Sequence, residues 1–213
     1  MTEATVSGGK DTGPIFFWRE FEEAHGFMSQ WYMCPFEHEG TTYLSAEMWM
    51  MVQKARLFGD EDIATQMLAT PTPAEHQAFG RKVKGFDKQR WNESMLTSPS
   101  LRPSRIHSSA TPSSKHSSIR DLRISLTNTT HTKDKSRIVE EGNYHKFTSS
   151  EPQLQLRRKL LETGERELVE ASPTDRIWGV GFGADDAEEN RKYWGENLLG
   201  EAITAVRERL RRE

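Results

Sequence analysis

A carboxylate and an amine, Glu47 and Lys54, lie seven residues apart in a segment that has the pattern of one helix. Ser45 is a favourable N-cap residue, and an apolar run of helix formers follows it. Two helical turns separate the charged residues, so they share one face, with their backbones about 10 Å apart along the axis. That separation is too long for an ion pair and suits a small ligand held between the two groups. The alternative is an ordinary helix, in which Glu47 complements the helix dipole and Lys54 is solvated.

The pattern of the whole chain predicts a single, helix-dominated α+β domain with short strands. Helices are predicted at residues 45–58, 63–68, 73–83, 87–92, 152–162 and 198–210. Short strands are predicted at residues 15–18, 31–33, 168–171 and 176–180, and a hairpin over residues 36–43 turns at Glu39 and Gly40. The last helix is amphipathic, because four apolar side chains share one side: Leu199, Ile203, Val206 and Leu210.

The composition excludes several classes of protein. With 213 residues and a net charge of −3, the chain has no broad basic field, so non-specific binding to nucleic acid is not implied. A single cysteine, Cys34, cannot form an intramolecular disulfide framework. The seven histidines show no zinc-binding spacing, so we expect no metal and no cofactor. Because no apolar run approaches membrane length and no signal-peptide core is visible, we expect an intracellular, cytoplasmic protein that makes no membrane contact.

Two polar segments interrupt the globular pattern. Residues 1–13 are predicted to be a disordered N-terminus, and the domain extends over residues 14–213. Within it, residues from about 95 to 136 are rich in Ser and Thr, basic and free of aromatic residues, which lowers the mean hydropathy of the chain to −0.77. Such a composition cannot bury enough apolar area to offset chain entropy, so we interpret it as a disordered insert. The alternative is a phosphorylatable loop, or one that contacts nucleic acid through its basic residues.

A glycine-rich stretch, Gly179-Val-Gly181-Phe-Gly183, has some features of a phosphate-binding loop. It lacks the Gly-Lys-Ser/Thr of a P-loop and the glycine spacing of a dinucleotide-binding fold. Four carboxylates follow it at the start of a predicted helix, at positions 185, 186, 188 and 189, and they would repel a phosphate there. We interpret the glycines as residues that permit a tight loop or a close approach to a ligand.

The chain is rich in tryptophan for its length. Tryptophan is mostly a core residue, but several of these adjoin charged or small residues, a pattern that suits a pocket where an aromatic base stacks on an indole. The six positions are Trp18, Trp31, Trp49, Trp91, Trp178 and Trp194.

Four blocks of sequence, in the same order, match one known family: residues 26–31, 40–60, 80–91 and 146–200. The first reads Gly-Phe-Met-Ser-Gln-Trp, and the last contains Ser-Pro-Thr-Asp-Arg-Ile-Trp-Gly and ends in Trp-Gly-Glu-Asn-Leu-Leu-Gly. Taken together, the blocks are specific, and the chain resembles the NADAR family of YbiA-like N-glycosidases. It departs from the family pattern at Gln30, where Asn is common, and in the polar insert. We hypothesise that the insert is translated intron sequence or a lineage-specific loop.

The resemblance implies hydrolysis of an N-glycosyl bond in a small phosphorylated ribosyl substrate. Family members cleave the bond between ribose C1 and a nitrogen, either in early riboflavin biosynthesis intermediates or in ADP-ribosylated guanine. The transition state of such a cleavage resembles an oxocarbenium ion, which a carboxylate stabilises. We expect riboflavin intermediates. The alternatives are an ADP-ribosyl-guanine glycohydrolase, with ADP-ribosylated nucleic acid as its partner, and a non-catalytic module that binds ADP-ribose or a related nucleotide.

The resemblance also implies roles for individual residues. Glu47 would be the stabilising carboxylate, and Asp175 an acid/base or a ribose ligand. Lys54 and Arg81 would hold the phosphate, although Lys54 could instead be an amine nucleophile at C1. Trp91, the third candidate catalytic residue, would stack on the base or the sugar. The other substrate-binding residues implied are Ser29, Trp31, Trp178 and Asn197.

Overall fold

The computed structural model describes residues 12–94 and 137–213, so the predicted insert and residues 1–11 lie outside it. Its helices are α1 (Ala46–Leu57), α2 (Glu61–Leu68), α3 (Pro73–Gly80), α4 (Lys88–Ser94), α5 (Arg137–Ser149), α6 (Leu156–Glu162), α7 (Ala184–Ala187) and α8 (Leu198–Arg212). Its strands are β1 (Ile15–Phe17), β2 (Phe36–His38), β3 (Thr41–Tyr43) and β4 (Leu168–Glu170). In these two ranges, no helix has both the length and the apolar character needed to cross a membrane.

Helix α1 lies at the centre of the fold and is buried along most of its length. The Ser45 hydroxyl caps it by accepting a hydrogen bond from the backbone N–H of Met48 at 3.2 Å. Its packing neighbours include α2, α3 and α5. Apolar residues occur around most of its circumference, which is typical of a helix that is covered on several sides. Any polar side chain on α1 is therefore held in a largely apolar environment.

Two small sheets flank the helices. β1 pairs with β4 in parallel, with Ile15 opposite Leu168 and Phe17 opposite Glu170. β2 and β3 form an antiparallel hairpin. Its turn residues, Glu39 and Gly40, have φ angles of 47° and 74°, the left-handed values that a tight two-residue hairpin requires. The hairpin turn predicted at these two residues is confirmed.

Helix α5, which packs against α1 and α8, was not among the predicted helices. The Trp49 indole N–H donates a hydrogen bond to the carbonyl of Ile138 at 2.9 Å. Gly142 leaves room for the same indole, since a Cβ atom at this position would lie 2.4 Å from Trp49 Cδ1. Two buried residues of α5, Asn143 and Lys146, are polar, so the helix lacks a clear apolar periodicity in the sequence.

The structure confirms the helix-dominated α+β fold and most of the predicted elements, but two predicted strands are wrong. Residues 31–33 are irregular: residue 31 ends a turn that follows a short 3-10 helix (Gly26–Met28), and residues 32 and 33 belong to no regular element. Residues 176–180 bond to the start of α8: the Leu198 N–H donates to the Ile177 carbonyl and the Leu199 N–H to the Trp178 carbonyl, both at 3.1 Å. Helix α3 ends at Gly80, three residues before the predicted end at residue 83, and turns follow it between residues 81 and 85.

The contact between α1 and α5 generates a stability prediction. Gly142→Ala should lower the free energy of unfolding by about 1–3 kcal/mol, because the new methyl group overlaps the Trp49 ring and outweighs the gain in helix propensity. Urea unfolding followed by circular dichroism measures the change. Gly183→Ala is the control, since its Cβ would meet no atom within 4 Å. Gly183 is the N-cap of α7, where alanine is less favourable than glycine, so this variant should cost less than about 1 kcal/mol. Equal stabilities of the two variants would contradict the packing argument.

Candidate functional site

A cavity of about 450 Å³ lies between α1, β4 and the loops that follow β1 and β4. Its wall combines aromatic, hydroxyl and carboxyl side chains, as is typical of small-molecule sites. The lining residues are Trp18, Arg19, Glu20, Ser29, Gln30, Trp31, Glu47, Met50, Met51, Gln77, Glu170, Ser172, Thr174, Asp175, Trp178 and Leu199. A larger, open groove of about 880 Å³ runs along α6, but its arginine and glutamate side chains are exposed. The smaller cavity holds the buried carboxyl groups and is the candidate site.

Two carboxyl groups in this cavity are buried without full hydrogen bonding. Glu47 is only 4% exposed. Its Oε1 atom and the Oε2 atom of Glu170 have no hydrogen-bond partner among the described residues. Burial raises the pKa of Glu47 to about 7, although the nearby Lys54 ammonium opposes the shift. Burial also raises the pKa of Glu170 to about 8, and the negative charges of Asp175 and Glu47 add to this shift. Both groups can therefore exchange protons near neutral pH.

Asp175 is held at the cavity wall by the main chain of the turn that follows β4. Its Oδ1 atom accepts hydrogen bonds from the backbone N–H groups of Ile177 at 2.8 Å and Trp178 at 2.9 Å. The carboxylate lies close enough to Glu170 for its charge to add to the effect of burial on the pKa of Glu170. The cavity thus brings Glu47 of α1 together with Glu170 and Asp175, which lie five residues apart in the chain, and Glu20 also lines its wall.

Helix α5 holds the loop of residues 29–31 against the cavity. The buried Lys146 ammonium donates a hydrogen bond to the Ser29 carbonyl at 2.7 Å, and burial lowers the pKa of Lys146 to about 8. The Asn143 amide donates to Gln30 Oε1 at 3.1 Å. The backbone N–H of Glu47 donates to the Gln30 carbonyl at 3.0 Å. Through these bonds the loop is joined to both α1 and α5.

Lys54 lies on α1 but does not line the cavity. Its ammonium donates a hydrogen bond to the Gly80 carbonyl at 2.7 Å. It also lies 4.2 Å from the ring centre of Phe86 and 5.7 Å from that of Trp91. Burial lowers the pKa of Lys54, and the charge of Glu47 opposes the shift. Trp91 is thus grouped with Lys54 and does not line the wall that carries the carboxyl groups.

Arg81 and Asn197 also lie outside the cavity wall. Arg81 is exposed and donates a hydrogen bond at 2.8 Å to the side chain of Gln77, which is part of the wall. The Asn197 amide donates to the Leu168 carbonyl at 2.9 Å and accepts from the Glu170 N–H at 3.0 Å. Asn197 therefore fixes the backbone of the strand that carries Glu170.

The remaining five predicted site residues line the cavity together: Ser29, Trp31, Glu47, Asp175 and Trp178. Glu170 was missed as a site residue, although it lies in one of the matched blocks; the available signal was a charged residue at the end of an apolar strand. Trp18 and Arg19 were also missed. The Arg19 guanidinium lies 3.8 Å from the centre of the Trp18 ring, so the two form a stacked cation and aromatic surface at the cavity.

Comparison with known proteins identifies the family. The model of the NADAR domain matches residues 16–98 and 95–211 of the chain. An N-glycosidase of Acanthamoeba polyphaga mimivirus is 32% identical over 187 residues, which are 84% of this chain and 85% of the viral protein. The chain belongs to the NADAR family.

Two further proteins match most of this chain, one in sequence and one in structure. A riboflavin biosynthesis protein of Vibrio vulnificus is 26% identical over 197 residues, which are 92% of this chain and 38% of that protein. The NMR structure of the Escherichia coli protein YbiA superimposes with a TM-score of 0.58 at 20% identity, and the match covers 97% of this chain and 90% of the other. YbiA thus shares the fold.

Because the pKa values of Glu47 and Glu170 are raised in the folded protein, the free energy of unfolding should fall as pH rises. The folded protein keeps protons on Glu47 and Glu170 up to about pH 7 and 8, whereas the unfolded chain releases them near the ordinary value of 4.5. Between these limits the folded state binds more protons, so their contribution to the free energy of unfolding falls as pH increases. Glu170→Gln should reduce this fall, because glutamine does not ionise.

Urea unfolding at several pH values between 5 and 8 measures the dependence in the parent protein and the variant. Glu37→Gln, on an exposed position of β2, is the matched control and should keep the parent slope. If Glu170→Gln kept the full slope as well, Glu170 would not hold a proton in the folded state at neutral pH.

Proposed function

We propose that this chain hydrolyses the bond between ribose C1 and a nitrogen in a phosphorylated, nucleotide-like substrate, such as an early riboflavin biosynthesis intermediate. It is a hydrolase of N-glycosyl bonds, as its family and its likeness to the viral N-glycosidase indicate. The name of the Vibrio relative supports the choice of substrate. The observation that carries the proposal is the group of three carboxyl side chains, Glu47, Glu170 and Asp175, at one cavity.

Cleavage of an N-ribosyl bond requires stabilisation of positive charge at C1 and a proton for the departing nitrogen. In the proposed mechanism the Glu47 carboxylate faces the oxocarbenium-like centre, where low polarity strengthens their attraction. Glu170, with a pKa of about 8, holds a proton at neutral pH. It donates this proton to the nitrogen as the electron pair of the C1–N bond moves there. Water then adds to C1 and passes a proton to Asp175, and exchange with solvent restores both groups.

The cavity suits a ligand of nucleotide size, because small-molecule sites commonly have volumes of about 300–1,000 Å³. Its aromatic surfaces at Trp31 and Trp178 would contact the base, and the hydroxyl groups of Ser29 and Ser172 would bind the ribose. Arg19 supplies a cation at the wall itself. These contacts would orient C1 toward the three carboxyl groups.

The phosphate of the substrate would extend toward Lys54 and Arg81. Both side chains make hydrogen bonds beside the cavity, to the Gly80 carbonyl and to Gln77 respectively. An amine that attacks C1 must have a free electron pair and reach the sugar. The bond from Lys54 to Gly80 and its position outside the wall favour phosphate binding over nucleophilic attack.

Two alternatives use the same cavity and are distinguished by assay. Removal of ADP-ribose from guanine in nucleic acid would require only one nucleotide to enter, although the net charge of −3 gives little attraction to a long strand. A module that binds ADP-ribose without turnover would leave the three carboxyl groups without a chemical role.

Replacement of Glu47 tests the chemistry. Glu47→Gln should lower kcat by about 10²–10³-fold, because the amide has the size of the carboxyl group but cannot carry its negative charge. The purified protein is incubated with ribosylaminopyrimidine phosphate and, separately, with ADP-ribosylated guanosine. Mass spectrometry then measures the release of ribose 5-phosphate or ADP-ribose.

Glu37→Gln serves as the control, because this exposed glutamate on β2 lies outside the cavity, and it should retain the parent rate. Release only from ADP-ribosylated guanosine would replace the proposed substrate with the alternative one. Binding of ADP-ribose without release from either compound would favour the non-catalytic module. A parent-like rate for Glu47→Gln would remove Glu47 from the mechanism.

Replacement of Lys54 separates its two proposed roles. If Lys54 binds phosphate, Lys54→Ala should chiefly raise KM, by about tenfold, with kcat nearly unchanged. If its amine attacks C1, kcat should collapse even at saturating substrate. Steady-state kinetics of Lys54→Ala and of Lys54→Arg, which keeps the charge, distinguish these results. Recovery of KM in the arginine variant would support phosphate binding.

A further inference from the structure

A histidine pair lies away from the candidate active site, where the β2–β3 hairpin meets α5. His38 is the last residue of β2, and His145 lies on α5. An antiparallel bridge between Phe36 and Ser150 fixes the strand beside the C-terminal end of the helix. The ring centres of the two histidines are 4.2 Å apart. Neither residue lines the cavity that holds the carboxyl groups.

Glu141 completes this group with an oxygen ligand. It precedes His145 by four residues on α5, and residues spaced by four lie on the same face of a helix. One ligand atom from each of His38, Glu141 and His145 lies within 4.8 Å of the other two. In a tetrahedral zinc site with bonds of about 2.0–2.2 Å, ligand atoms are about 3.3–3.6 Å apart. Small side-chain rotations would close the difference.

We propose that His38, Glu141 and His145 form a binding site for Zn²⁺. Two imidazoles and one carboxylate are donors that zinc accepts, whereas Mg²⁺ and Ca²⁺ prefer oxygen ligands throughout. The Glu39 carboxylate lies 3.9 Å from His38 Nε2 and is exposed, so it can turn to supply a fourth ligand. A water molecule can otherwise fill that position.

The charges around the group favour a cation on balance. Glu141 and Glu39 contribute two carboxylates, and Arg209 contributes a positive charge near His145. The Arg209 guanidinium lies 3.4 Å from the ring centre of Tyr144 and bonds to Glu213, which offsets its charge. The bound ion would join the hairpin to α5 in a structural role. The two histidines are 107 positions apart in the chain and the third ligand is a glutamate, so histidine spacing alone did not indicate the site.

Trp49 provides a spectroscopic readout, because its ring centre lies 5.1 Å from that of His38 and 5.4 Å from that of His145. Untagged protein is freed of metal with a chelator, and Zn²⁺ binding is measured by isothermal titration calorimetry. Cu²⁺, which quenches nearby indoles, is titrated separately while tryptophan fluorescence is followed. We expect one equivalent of Zn²⁺ to bind with a micromolar or lower Kd, and Cu²⁺ to quench part of the emission.

His145→Phe keeps a ring against Trp49 and removes the nitrogen ligand, and Glu141→Gln changes only the carboxylate. Each should raise the Kd for Zn²⁺ at least about tenfold and reduce the quenching by Cu²⁺. His25→Gln, a histidine outside the group, should bind like the parent. Circular dichroism confirms that each variant is folded, and Glu141→Gln alone suffices if the ring replacement unfolds the protein. Absence of micromolar binding in the parent, or undiminished binding in the folded variants, would overturn the proposal.

Discussion

Burial of the Glu47 carboxyl group within an otherwise apolar helix is the constraint on which the candidate site depends. Removing such a group from water disfavours its charged form, so its position is maintained only because α2, α3 and α5 pack around α1. The Ser45 cap and the bond from the Glu47 N–H to the Gln30 carbonyl fix where the helix begins. The same packing places Glu47 in a site of low polarity, where its carboxylate charge attracts a positive centre strongly and also raises the pKa of Glu170, the proposed proton donor.

The other carboxyl groups are positioned by the backbone. Glu170 ends a strand whose register with β1 is set by main-chain pairing, and Asn197 bridges that strand to the start of α8. Asp175 is held by two N–H groups of its own turn. In this arrangement one oxygen of Glu47 and one of Glu170 have no hydrogen-bond donor among the described residues. A bound ligand can then donate hydrogen bonds to these oxygens.

Elements with strong local signals could be predicted from the sequence. The cap at Ser45, the apolar run after it, the left-handed turn at Gly40 and the amphipathic α8 each depend on residues close together in the chain, and each lies where the pattern predicts it. The same locality identified Glu47 as a candidate. The seven-residue separation of Glu47 and Lys54 did not predict that Lys54 bonds to the Gly80 carbonyl, because this contact depends on how α3 packs against α1.

Helix α5 shows why the rest could not be predicted. Its buried Asn143 and Lys146 interrupt the apolar periodicity that identifies a helix, since each lies where an apolar residue is expected. In the structure they donate hydrogen bonds to Gln30 and to the Ser29 carbonyl, which join α5 to the cavity wall. Buried polar groups require such partners. The residues that hide α5 from sequence analysis are therefore the ones that connect it to the candidate site.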